Sequence, residues 1–292
     1  MNVAVVDVGA NTIRLLVAEQ LADGLRAVRQ SKARVGLGAE VEANGRISSA
    51  KIAEAAATVE SFTSEARMLG CSRVEVIVAS PGRQAANAGK LVRALATAAR
   101  APVRVLSRDE EALLAYDGAT HRAPPRPGAV AVCDVGGGST QVVIGTDAGP
   151  VWMRSVDIGS LRLTTRMLAA DQPSKQEVVA ARAEVERIFA GFSPPLPGSA
   201  LAVGGSARAI RKVCGPVLGE DELRFAVRLL RKRSPGEVSA SFGIDPERVR
   251  TMTAGALILS EVQRRLAVPL EVVSEGLREG LALALLSEAS AA

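Results

Sequence analysis

An α/β protein built from two related domains is what three features of this sequence predict. The run Val3-Ala4-Val5-Val6-Asp7-Val8-Gly9 returns as Val130-Ala131-Val132-Cys133-Asp134-Val135-Gly136 with one position changed. Short apolar runs alternate with longer stretches of helical periodicity, which is the pattern of strands layered against helices. The breaker cluster Pro124-Pro125-Arg126-Pro127-Gly128 falls directly before the second copy, so the chain should divide there. The expected domains are 1–124 and 125–274, with the segment 275–292 crossing back to pack on the first. A chain of 292 residues lets each domain bury a core of its own.

Each copy of the repeat drops one acid ahead of a small-residue turn and resumes as a second apolar run, Leu15 to Ala18 or Val142 to Gly145. This reads as strand, turn, strand. The turns are Gly9-Ala10-Asn11-Thr12 and Gly136-Gly137-Gly138-Ser139-Thr140, whose absent or short side chains leave backbone N–H groups open to an anion. After a further extended stretch, Ser49 to Leu69 places Ile52, Val59, Phe62, Ala66 and Leu69 on one helical face. Val74 to Ala79 is a short buried strand, Lys90 to Arg100 a helix and Val103 to Leu106 another strand. Ser107 opens the next helix, with Glu110 at capping-box spacing. Beyond the breaker, strands are expected at Val151 to Val156 and Ala200 to Val203, and helices at Ser160 to Ala169 and Ser174 to Ala190. Ser174 and Glu177 form a second capping box. The final segment, Glu275 to Leu286, is an amphipathic helix.

Composition removes several function classes. His121 is the only histidine, so histidine triads and multi-histidine metal sites are not available. Cys71, Cys133 and Cys214 are far apart and match no metal or redox spacing, which suits buried thiols in a reducing compartment. No G-x-x-x-x-G-K-[ST] run occurs. The N-terminus lacks a signal-peptide pattern and no apolar run reaches membrane-spanning length, so a cytoplasmic protein without a membrane partner is expected. The net charge of +5 is diffuse apart from Arg228, Arg231, Lys232 and Arg233 near a helix end. That cluster could attract a polyanion or simply be a solvated terminus. With aromatics at 2% of residues there is no stacking platform for nucleic acid, and none is expected as a partner.

Four places besides the first turn can carry chemistry, each with a structural alternative. In Ser107-Arg108-Asp109-Glu110-Glu111, capping accounts for Glu110 and leaves Glu111 over. A carboxylate there could orient and deprotonate water for attack on phosphorus; it could also be solvated decoration of a helix start. Arg83, in Ala79-Ser80-Pro81-Gly82-Arg83, follows a strand where a turn would aim its fork at phosphate, or it is a surface arginine. Asp134 stands before three glycines that form a broad backbone nest, where it would hold Mg²⁺ directly or through water; the alternative is a glycine-rich hairpin. Gly204-Gly205-Ser206, between a strand and a helix, offers a third phosphate contact at a helix N-terminus or close helix–strand packing.

Taken together, Asp7 to Thr12, Ala79 to Asn87, Ser107 to Ala112, Asp134 to Thr140, Gly204 to Ser206 and Ser274 to Gly280 resemble, in order and spacing, the exopolyphosphatase and guanosine pentaphosphate phosphohydrolase family. The resemblance covers essentially the whole chain. It implies two ribonuclease H-like domains of the actin-like ATPase superfamily, with a cleft between them in which terminal phosphate is removed from polyphosphate or pppGpp. It places the catalytic glutamate on Glu111 and the phosphate-binding arginine on Arg83. It puts phosphate loops on Gly9, Asn11, Thr12, Gly136, Gly137, Gly138 and Ser139, with Gly204, Gly205 and Ser206 as further phosphate contacts. Asp134 and Asp7 are the implied metal ligands, for Mg²⁺ with Mn²⁺ as an alternative. Polyphosphate or guanosine pentaphosphate is thus the implied anionic partner, and homodimerisation is common in the family.

Two departures qualify that picture. Many relatives carry glutamate where this chain has Gln141, which keeps reach and an acceptor oxygen but loses a charge. Longer relatives have an added C-terminal helical domain, so this chain resembles the short two-domain form, for which short polyphosphate or nucleotide-sized substrates are expected. The expected activity is release of terminal orthophosphate by Mg²⁺-assisted water attack. The alternatives are a pppGpp 5′-phosphohydrolase, a non-catalytic sensor of polyphosphate or alarmone, and ATP-dependent phosphoryl transfer.

Overall fold

Side-chain alternation along the first strand, β1 (Asn2–Val8), decides the layering of the N-terminal half. Val3 and Val5 join one apolar cluster while Ala4, Val6 and Val8 join another, because successive side chains leave a strand on opposite faces. A strand buried on both sides is an interior strand. The computed structural model describes residues 1–22, 24–122, 126–168 and 170–290. The chain separates into two units, Met1–Arg122 with Glu275–Ala292, and Ala123–Ser274. Pro124 and Pro125, where the division was expected, lie outside the described residues, as does Ala169 at the expected end of a helix.

In the first unit β1 is followed by β2 (Thr12–Leu21), β3 (Gly24–Arg34), α1 (Leu37–Asn44), α2 (Ser49–Met68), β4 (Cys71–Val78), α3 (Ser80–Gln84), α4 (Ala88–Ala99), β5 (Val103–Val105) and α5 (Arg108–Thr120). The sheet order is β3-β2-β1-β4-β5. β1 runs antiparallel to β2 and parallel to β4, and β4 runs parallel to β5. On one face Ala55, Val59, Phe62 and Ala66 of α2, with Leu91 and Leu95 of α4, cover the sheet. Leu69 departs from the expected stripe: it is the C-cap of α2 and is exposed. The residues Ser80 to Arg83 form the short helix α3 rather than a turn; Pro81 in its first turn is compatible with helix because the missing N–H would have no partner there.

The second unit repeats the plan with β6 (Val130–Val135), β7 (Thr140–Thr146), β8 (Gly149–Val156), α6 (Ser160–Met167), α7 (Lys175–Ile188), β9 (Ser199–Val203) and α8 (Gly204–Cys214). It then adds β10 (Val217–Leu218), α9 (Glu220–Lys232), α10 (Pro235–Phe242), α11 (Pro246–Val249), α12 (Met252–Leu266) and β11 (Leu270–Val272). Its sheet order, β8-β7-β6-β9-β11-β10, reproduces that of the first unit with one extra edge strand. Both sheets have the ribonuclease H-like arrangement implied by the resemblance. The helix α12 leaves no periodic signal in the sequence, because its run Ala254 to Leu259 is apolar all round. A helix buried on every side has no polar face to reveal it, and residues 252–259 are all buried.

The last helix, α13 (Leu277–Ser290), belongs to the first unit. It starts at Leu277, two residues later than Glu275. Leu281, Ala282, Leu285 and Leu286 pack on Val3, Val5, Leu16 and Ile77, each buried leucine contributing about 1.5–3 kcal/mol. Where α13 crosses α5, backbone meets backbone. A Cβ built on Gly118 would lie 1.9 Å from the Gly276 carbonyl oxygen, and one on Gly280 would lie 2.0 Å from that of Leu114.

Candidate active site

The two hairpin turns are built alike down to their hydrogen bonds. Gly9 N–H donates to the Thr12 carbonyl at 3.1 Å, and Gly136 N–H to that of Ser139 at 3.0 Å. Those two N–H groups therefore close the turns and are not open to an anion, contrary to the expectation for Gly9 and Gly136. The turn carbonyls are taken up by the segment leading into the next helix. Gly38 N–H donates to Ala10, and Val35 and Gly36 donate to Asn11; Ser160 donates to Gly136, and Leu161 and Arg162 donate to Gly137. What remains is N–H: Ala10 and Asn11 in the first turn, and Gly137, Gly138 and Ser139 in the second, have no acceptor among the described residues. Each unit thus presents a backbone surface that only donates, suited to an anion. Gly159 must lack a side chain for the second turn to seat, since a Cβ there would lie 2.4 Å from the Gly137 carbonyl carbon.

In the first unit, Arg83 and Glu111 meet. Arg83 Nη2 donates to Glu111 Oε2 at 2.6 Å, and Nη1 donates to the Leu106 carbonyl at 2.7 Å. Gly82 lets α3 lie against the sheet: a Cβ there would lie 2.9 Å from Val105. Glu111 is 8% exposed, so it is not solvated helix decoration. Its neighbour Glu110 accounts for the capping: its carboxylate accepts from Ser107 N–H at 2.8 Å and from Arg104 at 2.5 Å. The Ser107 backbone N–H, foremost, holds the Glu110 carboxyl below the usual range. The pair Arg83–Glu111 sits beyond the C-terminal ends of β4 and β5, the edge of an open α/β sheet where ligands bind.

At the same edge of β1 lies Asp7, paired in register with Arg14. Its Oδ1 is sealed from solvent and has no hydrogen-bond partner. Burial, the largest cause, raises its carboxyl above the ordinary value, with Arg278 and Arg14 opposing and Glu279 adding to the rise. Arg278 and Glu279, both under 10% exposed, open α13, and Glu279 accepts from Gly276 N–H at 2.9 Å. The signal these two residues leave in the sequence is a charged pair at the start of a largely apolar helix. Asp7→Asn is expected to raise the melting temperature at neutral pH in chelator-containing buffer while lowering activity. Because the folded value is raised, ionised Asp7 costs stability above it. The gap between the proteins should narrow as pH falls through that raised value and close below the ordinary 3.8. Melting curves across pH check this, and a less stable variant at pH 7 would contradict it.

In the second unit Asp134 faces α8. Gly204 has φ +86°, and a Cβ there would lie 2.2 Å from Asp134 Oδ1. The start of α8 has no side-chain cap, and only a glycine at 204 leaves room for the Asp134 carboxylate beside it. Ser206 is 2% exposed, and its side chain lies against Gly255 of α12. Gln141, the cross-strand partner of Asp134, is buried and donates to Ser139 Oγ at 2.9 Å.

The residues present suit a divalent ion that keeps most of its shell in water and substrate oxygens. Among the described residues no group of three or more His, Cys, Asp or Glu side chains could cage a metal. Single carboxylates, Asp7 with an orphaned buried oxygen and Asp134, match the way Mg²⁺ is held by one or two protein carboxylates with water and substrate phosphate completing the shell. Among the described residues no helix is long and apolar enough to cross a membrane. The cysteines are free, and burial pushes the Cys214 thiol up to about 11.

Fold and site together define an α/β protein with duplicated turns that offer backbone N–H groups and with a buried acid–arginine pair. A family model described as the Ppx/GppA phosphatase family matches residues 16–289. Exopolyphosphatase 2 of Mycobacterium tuberculosis is 30% identical over 97% of this chain and 98% of that protein. Exopolyphosphatase 1 of Mycobacterium bovis is 25% identical over 97% of this chain and 88% of its own length. The crystal structure of the Aquifex aeolicus Ppx/GppA family member superposes with a TM-score of 0.84 at 23% identity, covering 99% of this chain and 98% of that one. An exopolyphosphatase from Cytophaga hutchinsonii gives 0.87 at 20% identity, with 99% and 98% covered. The chain belongs to the Ppx/GppA phosphatase family, and it is accordingly a phosphohydrolase with the fold of that family.

Proposed function

We propose that this enzyme releases terminal orthophosphate from short inorganic polyphosphate with Mg²⁺. The observation that carries the reading is the 2.6 Å pairing of Arg83 with buried Glu111, two residues 28 apart in the chain. The names of the exopolyphosphatase relatives support the substrate. Glu111 takes the proton of the attacking water as oxygen bonds to phosphorus, and the bond to the bridging oxygen breaks, leaving a chain one phosphate shorter. Arg83, with both terminal nitrogens engaged by Leu106 and Glu111, fixes the carboxylate in place. N–H groups of the turns donate to phosphoryl oxygens. Asp7 in the first unit, or Asp134 in the second, would hold Mg²⁺, which when bound offsets charge on the phosphoryl oxygens.

Arg83→Lys separates this role from phosphate binding. Lysine keeps the charge and loses the fork, so kcat is expected to fall about 10- to 100-fold with KM little changed. A rise in KM alone would return Arg83 to the substrate. The reading as a whole is tested by phosphate release from tripolyphosphate, longer polyphosphate and pppGpp, with Mg²⁺ and with chelator. Release from tripolyphosphate that chelator abolishes is expected. Thermal stabilisation by tripolyphosphate without release would favour a sensor, and release from pppGpp alone would favour the nucleotide substrate.

A further inference from the structure

Gln141 donates through Nε2 to Ser139 Oγ at 2.9 Å, both residues being 2% exposed. Ser139 Oγ has no other hydrogen-bond partner among the described residues, and Gln141 Oε1 is sealed without one. An amide nitrogen can only donate, so the hydroxyl is fixed as its acceptor and the one hydroxyl proton must point away from Gln141. Beside it stand the backbone N–H groups of Gly137, Gly138 and Ser139, also without acceptors among the described residues. The reversed amide would instead give Ser139 an acceptor and turn its proton inward. The orphaned Oε1 is the cost of the orientation observed.

We infer that Gln141 is a positioning residue that makes the Ser139 hydroxyl a donor, completing a turn that only donates and that selects an acceptor-only anion, a fully deprotonated terminal phosphoryl group. The inference rests on the phosphohydrolase reading above and deepens it. A glutamate at 141 would take the Ser139 proton for itself and present lone pairs to the anion, next to the carboxylate of Asp134. The neutral amide therefore tunes phosphoryl binding through Ser139, and is more than a lost metal ligand.

The test compares wild type, Gln141→Glu, Gln141→Met, Ser139→Ala and the Ser139→Ala/Gln141→Glu double variant, by kcat and KM for tripolyphosphate and by calorimetric Kd for tripolyphosphate. Gln141→Glu should raise KM and Kd about tenfold or more, the loss of a charge-assisted hydrogen bond, with a smaller effect on kcat. Ser139→Ala should do nearly the same. The double variant should be no worse than Gln141→Glu alone, since the hydroxyl is already reversed. Should Gln141→Glu fail to give a cooperative melt, Gln141→Met should raise KM severalfold and add nothing to Ser139→Ala. Wild-type affinity in Gln141→Glu, or effects that multiply in the double variant, would overturn the inference while leaving the phosphohydrolase reading intact. A wild-type protein that neither binds nor cleaves tripolyphosphate would overturn both.

Discussion

Glu111→Gln is expected to lower phosphate release from tripolyphosphate by about a hundred- to ten-thousandfold, the range a positioned general base contributes. The amide retains the shape of the carboxylate and can still accept from Arg83, so binding of tripolyphosphate should stay within a few-fold of wild type. From the sequence alone, Glu111→Ala would be expected to reduce phosphate release sharply with the fold intact. The structure changes the second half of that expectation. Glu111 is buried and ion-paired with an Arg83 side chain that is only 16% exposed, so truncation strands a guanidinium that keeps the Leu106 carbonyl as its partner. Removing one member of a largely buried pair is costly, and Glu111→Ala should melt at lower temperature than Glu111→Gln. A malachite green assay alongside a thermal melt separates the two effects. Turnover near wild type in Glu111→Gln would remove the residue from the role of base.

Gly118→Ala is expected to destabilise the first unit by about 3 kcal/mol or more, at or above the upper end of ordinary overpacking, lowering its melting temperature by roughly 10 °C. The neighbouring atoms are backbone: the Gly276 carbonyl oxygen at 1.9 Å and the Gly280 nitrogen at 2.7 Å from the added carbon. No side chain can rotate away, so α5 and α13 must move apart. Gly280→Ala should act the same way through the Leu114 carbonyl at 2.0 Å. Because α5 bears Glu111 at its other end, and α13 opens with Arg278 and Glu279 near Asp7, activity should fall further than unfolding explains. Calorimetry and initial rates on the folded fraction measure both, and an unchanged melting temperature would show that the crossing can relax.

How much of the site was legible depends on the kind of signal each residue leaves. Glu110 and Glu177 announced their capping roles through a three-residue spacing to serine, and both boxes are present, because capping is a local contact. Glu111 stood out by having no such explanation. Arg83 was singled out for its chemistry, but its partner could not be read: the two residues are 28 apart in the chain, and their contact depends on where α3 and α5 come to rest. Gly204 is small for a helix start in the sequence, and the structure adds a steric reason, its φ of +86° and the Asp134 carboxylate against it.

What the sequence determined by itself was the duplication. Two apolar runs of period two, each interrupted by an acid and a small-residue turn, can bury their valines only as paired strands, and the repeat obliges both halves to do so alike. Tertiary structure alone decided which donors survive folding. Closure of the turns consumes the N–H groups of Gly9 and Gly136, α1 and α6 absorb the turn carbonyls, and the Gly118–Gly280 crossing holds the helix that bears Glu111. These are contacts between residues distant in the chain, set by backbone fit at van der Waals distance, and no spacing along a sequence encodes them.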